Sequence, residues 1–319
     1  MFKDKKILII GDVMLDSYMF GKVDRISPEA PVPVVDITYS QHKLGGAANV
    51  ALNIKNLGGT PIICTVIGND SNSEIFISEL LKQKISSDYI IKSNNRKTTN
   101  KIRIIGNNHQ MLRIDNEIKT DLDFNDQNEL LSNIINILTN EKINCVLIQD
   151  YDKGILNNNI ISTITTKANN LNIPIVVDPK KKNFSNYNNV TLFKPNLKEF
   201  SEGLDINYKN EKDLLIGADI LHKRGIEIVL VTLSENGMFI SYKKNDTKIN
   251  NFLPGIPRNV ADVSGCGDTC ISIISMLIND FEIEEIAKIA NIAGGIVCEE
   301  VGVVSIDKEK LLLEYEKWK

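Results

Sequence analysis

Histidine is scarce in this chain. Only His42, His109 and His222 occur, each isolated, with no cysteine or carboxylate at ligand spacing. A zinc enzyme needs three or four such ligands to converge, so none is expected. Cysteine is sparse and odd in number: Cys64, Cys145, Cys266, Cys270 and Cys298, with no CxxC pair. That pattern reads as buried or half-buried free thiols in a reducing compartment. A GxSxG elbow is missing, which argues against a Ser-His-Asp hydrolase. Neither GxxxxGK[ST] nor a GxGxxG after the first strand is present, so a P-loop enzyme and a nicotinamide dinucleotide enzyme are both disfavoured. Basic residues are not in excess: 37 Lys and Arg stand against 41 Asp and Glu, a net charge of −4. With a pI near 5.6, nothing points to a nucleic-acid partner. Long apolar runs are also absent. The longest, residues 271–278, is broken by serine and falls well short of the ~20 residues that span a bilayer. Mean hydropathy is −0.11, and no membrane partner is expected. The N-terminus leads straight into a strand-like run with no secretory signal, so the expected location is cytoplasmic.

What is present is an α/β rhythm. At 319 residues a folded chain buries roughly 75% of its unfolded surface and needs no staples. Residues 5–10 (KKILII) form a β-branched run ending at Gly11-Asp12, the pattern of a buried parallel strand with a turn at its carboxyl end. Pro31 and Pro33 interrupt the next apolar positions, which demotes residues 13–43 to an edge-type antiparallel excursion. Gly45-Gly46-Ala47-Ala48-Asn49 opens a helix over 50–57, closed by Gly58-Gly59. A strand over 61–67 and a helix over 73–83 follow. Residues 98–105 and 110–114 alternate as a hairpin turning at Gly106-Asn107-Asn108. Helices over 126–139, 158–171, 197–203 and 211–224 then alternate with strands over 145–149, 174–177, 190–193 and 227–232, with residues 237–242 pairing beyond. Such alternation predicts a mostly parallel sheet covered on both faces, with ligands at the carboxyl ends of its strands. Gly11-Asp12, Asp150, Asp178-Pro179-Lys180, Pro195-Asn196 and Thr232 fall there. With no repeat, linker or low-complexity tail, the expectation is a single domain over residues 1–319, with a small β excursion from about 12–43 and 96–115.

The segment richest in chemistry is Asp262-Val263-Ser264-Gly265-Cys266-Gly267-Asp268-Thr269, followed by an apolar run. Small residues ahead of a helix let consecutive N–H groups converge on an anion, aided by the helix dipole. Asp268 falls in the first turn. It is either a dipole partner and cap or a general base beside a phosphate-binding hole, the pairing that phosphoryl transfer requires. Taken alone, Gly45-Gly46 is a tight turn, Asn49 a polar helix-start residue and Asn196 an ordinary N-cap.

Together, GGAANVALNIKNLGG (45–59) and DVSGCGDT (262–269), in this order and about 200 residues apart, resemble the two signatures of the ribokinase/PfkB carbohydrate kinase family. GDVMLDSYMFGKV (11–23), RISPEAPVPVVDI (25–37), TNKIRIIGNNHQMLRIDNE (99–117), DYDKGIL (150–156), VDPKKKNF (177–184), KPNLKEF (194–200) and VTLSENGM (231–238) resemble the heptose 7-phosphate kinases within it, over almost the whole chain. The resemblance implies a ribokinase-like three-layer fold: a mostly parallel sheet, helices on both faces, and a small β-sheet lid that pairs between subunits in a homodimer. It implies a kinase-only chain, without the nucleotidyltransferase domain of the bifunctional relatives. The implied activity is ATP-dependent phosphorylation of D-glycero-D-manno-heptose 7-phosphate at O1. The alternatives are a kinase for another sugar or sugar phosphate, and a non-catalytic sugar- or nucleotide-binding regulator.

The resemblance also implies roles. Asp268 is the base, and Gly265, Cys266 and Gly267 form the anion hole. Asn196, Leu197, Lys198 and Glu199 (NxxE) meet the ATP phosphates, with Glu199 reaching Mg²⁺ through water. Ser234, Gly237 and Asn291 lie on the nucleotide side. Asp12, Gly45, Gly46 and Asn49 hold the sugar. A monovalent cation is a further cofactor candidate. The acceptor's own phosphate needs cations, for which Arg25, Arg103, Arg113, Lys153 and Lys180 are candidates. Arg113 and Lys153 come first, and Lys180 alternatively faces ATP. Five positions depart from the group: Cys266 for Ala, Gln149 for Ser, Lys194 for Thr, and Gly295 and Cys298 in the nucleotide-side helix. Lys194 either adds charge near the ATP phosphates or points to solvent.

Overall fold

The computed structural model describes residues 1–245 and 247–318. The expected span of 1–319 thus ends on a residue outside the described ones. Thirteen strands and nine α-helices are present among the described residues. In chain order they are β1 (Lys6–Gly11), β2 (Val13–Ile26), β3 (Pro33–Gly46), α1 (Ala47–Leu57), β4 (Thr60–Gly68), α2 (Ser71–Lys82), β5 (Ile90–Ser93), β6 (Asn100–Gly106), β7 (His109–Asn116), α3 (Phe124–Asn140) and β8 (Cys145–Gln149). There follow α4 (Asn158–Asn170), β9 (Ile175–Asp178), β10 (Leu192–Phe193), α5 (Leu197–Leu204), α6 (Glu211–Lys223), β11 (Ile228–Thr232), β12 (Met238–Lys244), β13 (Thr247–Leu253), α7 (Cys266–Leu277), α8 (Ile283–Cys298) and α9 (Lys308–Glu316).

Nine strands form one sheet in the order β13-β12-β11-β10-β9-β8-β1-β4-β5. All its pairings are parallel except those of β12 and β13 at one edge. The central strands are buried on both faces, and their alternation divides the interior in two. Ile7, Ile9, Leu147, Val176 and Leu230 pack into one core with α1, α7 and α8. Leu8, Ile10, Val146, Ile148, Val177 and Val229 pack into the other with α3, α4 and α6. This is the three-layer arrangement that unbroken apolar strands require. The other four strands form a second sheet in the order β3-β2-β6-β7, made from the proline-flanked excursion and the later hairpin.

The strand ends are set by close backbone approach. The N–H of Asp12 donates to the carbonyl of Gln149 (3.1 Å), and that of Asp150 to Asp178 (3.0 Å). Gly11 ends β1 with φ +153°, and a Cβ there would collide with the Gln149 carbonyl, so only glycine fits this turn. Asp12, Gln149, Asp150, Asp178 and Lys194 are thereby gathered at one edge.

Candidate active site

At that edge α7 begins. Its N-cap Gly265 adopts φ 85°, a left-handed conformation that glycine adopts without strain. Here a Cβ would lie 3.2 Å from Asn49 Nδ2. The first turn leaves its N–H groups without intrahelical acceptors, and they converge where the helix dipole favours an anion. Asp268 stands in that turn and is buried. Three side chains donate to its carboxylate: Asn49 Nδ2 to Oδ2 (2.8 Å), and Gln149 Nε2 (3.1 Å) and the Tyr151 hydroxyl (2.7 Å) to Oδ1. Burial, with the nearby Asp178 charge, pushes its pKa up to about 6 against the opposing pull of Asn49, Tyr151 and Lys194. A carboxylate poised there is suited to take a proton near neutral pH.

A cavity of about 910 Å³ opens beside it, lined by Gly265, Cys266, Gly267 and Asp268 and also by Lys180, Asn196, Glu199, Ser234, Gly237 and Asn291. The Asn196–Glu199 pair is a capping box: Asn196 Oδ1 accepts from the Glu199 N–H (2.8 Å), and Glu199 Oε2 from the Asn196 N–H (2.9 Å). The plain helix-start reading of Asn196 is therefore true, and the same pair still faces the cavity. Glu199 Oε1 binds Lys180 Nζ. Burial works against the Lys180 charge, and Asp178 and Glu199 outweigh it, holding the ammonium above its ordinary range. Lys194 does not point to solvent. It is buried and bound to Asp178 at 2.9 Å, opposite Gly267. Asn291 Nδ2 donates to the Pro254 carbonyl (2.9 Å).

Several expected residues lie elsewhere. Asp12 is not free for a ligand. Its carboxylate accepts from the N–H groups of Tyr151 (2.7 Å), Lys153 (3.2 Å) and Ile155 (3.2 Å) and so anchors the loop after β8. Burial and the neighbouring Asp150 raise its pKa to about 6. Asp16, which sequence reasoning passed over, stands against Gly45, where a Cβ would collide with its carboxylate; Asp16 Oδ1 binds Arg103 at 2.5 Å. Gly46 packs on the Asp12 carbonyl. Gly45, Gly46, Asn49 and Asp12 thus lie behind the cavity, joined to it through Asn49 and Tyr151. Lys198 is solvent-facing beside Glu202, and Leu197 lines a separate small cavity with Tyr208 and Phe252. Lys153 Nζ is bound to Glu117 (2.8 Å) and Arg113 to Asp115 (2.9 Å).

The cysteine expectation is corrected as well. Cys266 and Cys298 are joined by a disulfide, while Cys64, Cys145 and Cys270 are free and buried. The reason is geometric: the start of α7 and the end of α8 meet, with Cα atoms 6.2 Å apart, within bridging range. Arg258, also unforeseen, lies over Gly295 at the cavity wall, held by Glu299 and Glu314. Tyr151 lay inside DYDKGIL, but nothing local signalled that its hydroxyl reaches Asp268. No helix among the described residues is long and apolar enough to cross a membrane.

Comparison with known proteins agrees with this geometry. The family model described as "pfkB family carbohydrate kinase" matches residues 4–310. The bifunctional protein HldE of Aliarcobacter butzleri is 38% identical over 316 residues, 98% of this chain and 65% of that protein. HldE of Helicobacter pylori J99 is 36% identical over 311 residues, 97% of this chain and 66% of that protein. The chain thus spans just under two thirds of the length of these relatives. Among solved structures, phosphofructokinase-2 from Escherichia coli in complex with potassium superposes with TM-score 0.80 at 18% identity, covering 98% of each chain. Arabidopsis thaliana ribokinase complexed with ribose and ATP does so at 0.74 and 18%, covering 99% of this chain and all of its own. The fold is ribokinase-like, and the chain belongs to the pfkB family of carbohydrate kinases.

Proposed function

We propose that the chain is an ATP-dependent sugar kinase that phosphorylates D-glycero-D-manno-heptose 7-phosphate at O1, giving the 1,7-bisphosphate. The observation that carries the reading is Asp268: a buried carboxylate in the first turn of α7, between the cavity and the four-stranded sheet, with its pKa at about 6. ATP occupies the cavity, its phosphates towards the α7 N-terminus, where the first-turn N–H groups receive the oxygens of the transferring phosphoryl group. Lys180 and Lys194 line the same wall, each paired with a carboxylate. The acceptor hydroxyl displaces one of the three donors on Asp268, gives up its proton there and attacks the γ-phosphorus in line, the bond from that phosphorus to the β-phosphate oxygen breaks, and ADP leaves. Mg²⁺ neutralises phosphate charge when bound. Glu199 and Asp178 are each already paired with a lysine, so they would meet a Mg²⁺ carried by the phosphates only through its bound water. The heptose assignment is supported by residues 25–37, 99–117 and 150–156 and by the HldE relatives.

In the same reading residues 1–319 are one kinase domain. Its four-stranded sheet acts as a lid that pairs with a second copy, and it works in the cytoplasm, where ATP is supplied. The decisive test is mass and phosphorus NMR analysis of the product from heptose 7-phosphate and ATP. A new anomeric phosphate is expected, and no phosphorylated product would refute the assignment. Asp268→Asn should still bind ATP while turning over about 10²–10⁴ times more slowly.

A further inference from the structure

The inner face of the four-stranded sheet carries more positive charge than its carboxylates balance. Register places Lys43, Asp16, Lys101 and Asp115 in one row across β3, β2, β6 and β7, with Gln41, Tyr18, Arg103 and Arg113 in the next. Arg103 is bound to Asp16 and Arg113 to Asp115. Lys43 Nζ donates to the Val303 carbonyl at 3.0 Å. Among the described residues, Lys101 has no carboxylate within ion-pair distance. It is half-buried, and its ammonium lies 5.8 Å from the centre of the Tyr151 ring. Asp16 and Asp115 attract its charge from a distance, Lys153 and Arg113 repel it, and burial, the largest influence, pulls its pKa down. A cation withdrawn from water without a counter-ion is costly unless a ligand supplies one.

The position fits such a ligand. The Tyr151 hydroxyl donates to Asp268, so the base and Lys101 flank the same phenol. On the same ring Lys180 lies 5.2 Å from the centre, but it already holds Glu199 at the nucleotide cavity. An acceptor that presents a hydroxyl to Asp268 and extends under the sheet brings its far end to Lys101. Of the cations that the sequence offered for the acceptor's phosphate, Arg103, Arg113, Lys153 and Lys180 each hold a carboxylate of their own, and Arg25 is exposed near the far end of β2.

We propose that Lys101 receives the phosphate monoester of the acceptor sugar, so that the enzyme selects acceptors bearing a terminal phosphate of their own. The inference rests on the kinase reading but not on heptose being the sugar. Its test is calorimetric and kinetic comparison of wild type, Lys101→Met and Lys101→Arg, with heptose 7-phosphate, fructose 6-phosphate and the two unphosphorylated sugars. Lys101→Met should weaken binding of the phosphorylated acceptor and raise its KM about 10- to 100-fold, the effect of one charge-assisted contact. The KM for ATP and binding of the unphosphorylated sugar should stay close to wild type, and Lys101→Arg should recover most of the loss. Wild-type-like binding of the phosphorylated acceptor by Lys101→Met would overturn the proposal. So would a wild-type enzyme that binds no sugar phosphate better than the free sugar. Turnover of fructose 6-phosphate alone, with dependence on Lys101, would refute the heptose assignment and leave this one standing.

Discussion

In the proposed reaction Asp268 is the base, and burial, opposed by the hydrogen bonds from Asn49 and Tyr151, sets the pH at which it works. A general base acts in its unprotonated form. With its pKa raised to about 6, kcat/KM should therefore fall as pH drops through that value. The Tyr151 hydroxyl bond favours the charged form and lowers this pKa. Tyr151→Phe removes it, so the acid limb should move to higher pH by about one unit, the scale of a hydrogen bond to a charged group, and kcat at pH 7 should fall. A limb that stays in place would show that Tyr151 does not hold the base; a purely structural defect would lower stability without moving it. Asp268 was legible because small residues before an apolar run announce a helix start. The capture of the Asp12 carboxylate by the chain's own backbone was not. Asp12 is captured by the N–H groups of residues 151, 153 and 155, a contact across more than a hundred residues that no local pattern records.

At the scale of elements, alternation was enough where strands are buried. The run at 145–149 coincides with β8, and Gly58 closes α1 in the left-handed conformation. It failed where burial is partial. β13, TKINNFL, is an edge strand of mixed exposure, β5 has only four residues, and α9 buries little besides Leu311 and Tyr315. The cysteines are a case in which elements decide chemistry. The start of α7 and the end of α8 meet at one wall of the cavity, so Cys266 and Cys298 become partners although 32 residues separate them. Denaturation without reductant followed by iodoacetamide should add three alkyl groups by intact mass, on Cys64, Cys145 and Cys270, and five after reduction. Five without reductant would show that the bridge is absent in the purified protein.

Over the whole molecule the four-stranded sheet is the part whose surface is least explained by one chain. One face is polar and looks onto the site. On the other, register places Ile102 and Ile104 of β6 beside Ile114 and Leu112 of β7, with Leu112 55% and Ile114 43% exposed. The alternation at 110–114 was visible in the sequence, but it shows only that a strand has an apolar side, not what covers it. Exposed apolar patches of this kind mark interaction surfaces; full burial of such a side chain is worth roughly 1.5–3 kcal/mol, of which about half remains to be gained at Leu112 and Ile114. A second copy using the same face would bury four from each chain around a two-fold axis, which favours pairing through this sheet. Placing charges there should break it. Leu112→Lys with Ile114→Lys should leave the fold intact, because both sites are solvent-facing in the single chain, and should convert a dimer to a monomer in light scattering after size exclusion. A wild-type monomer at micromolar concentration, or a double variant that remains dimeric, would move the interface elsewhere. If pairing also steadies the inner face, and the acceptor binds beneath it as proposed, the monomeric variant should lose affinity for the acceptor sugar more than for ATP.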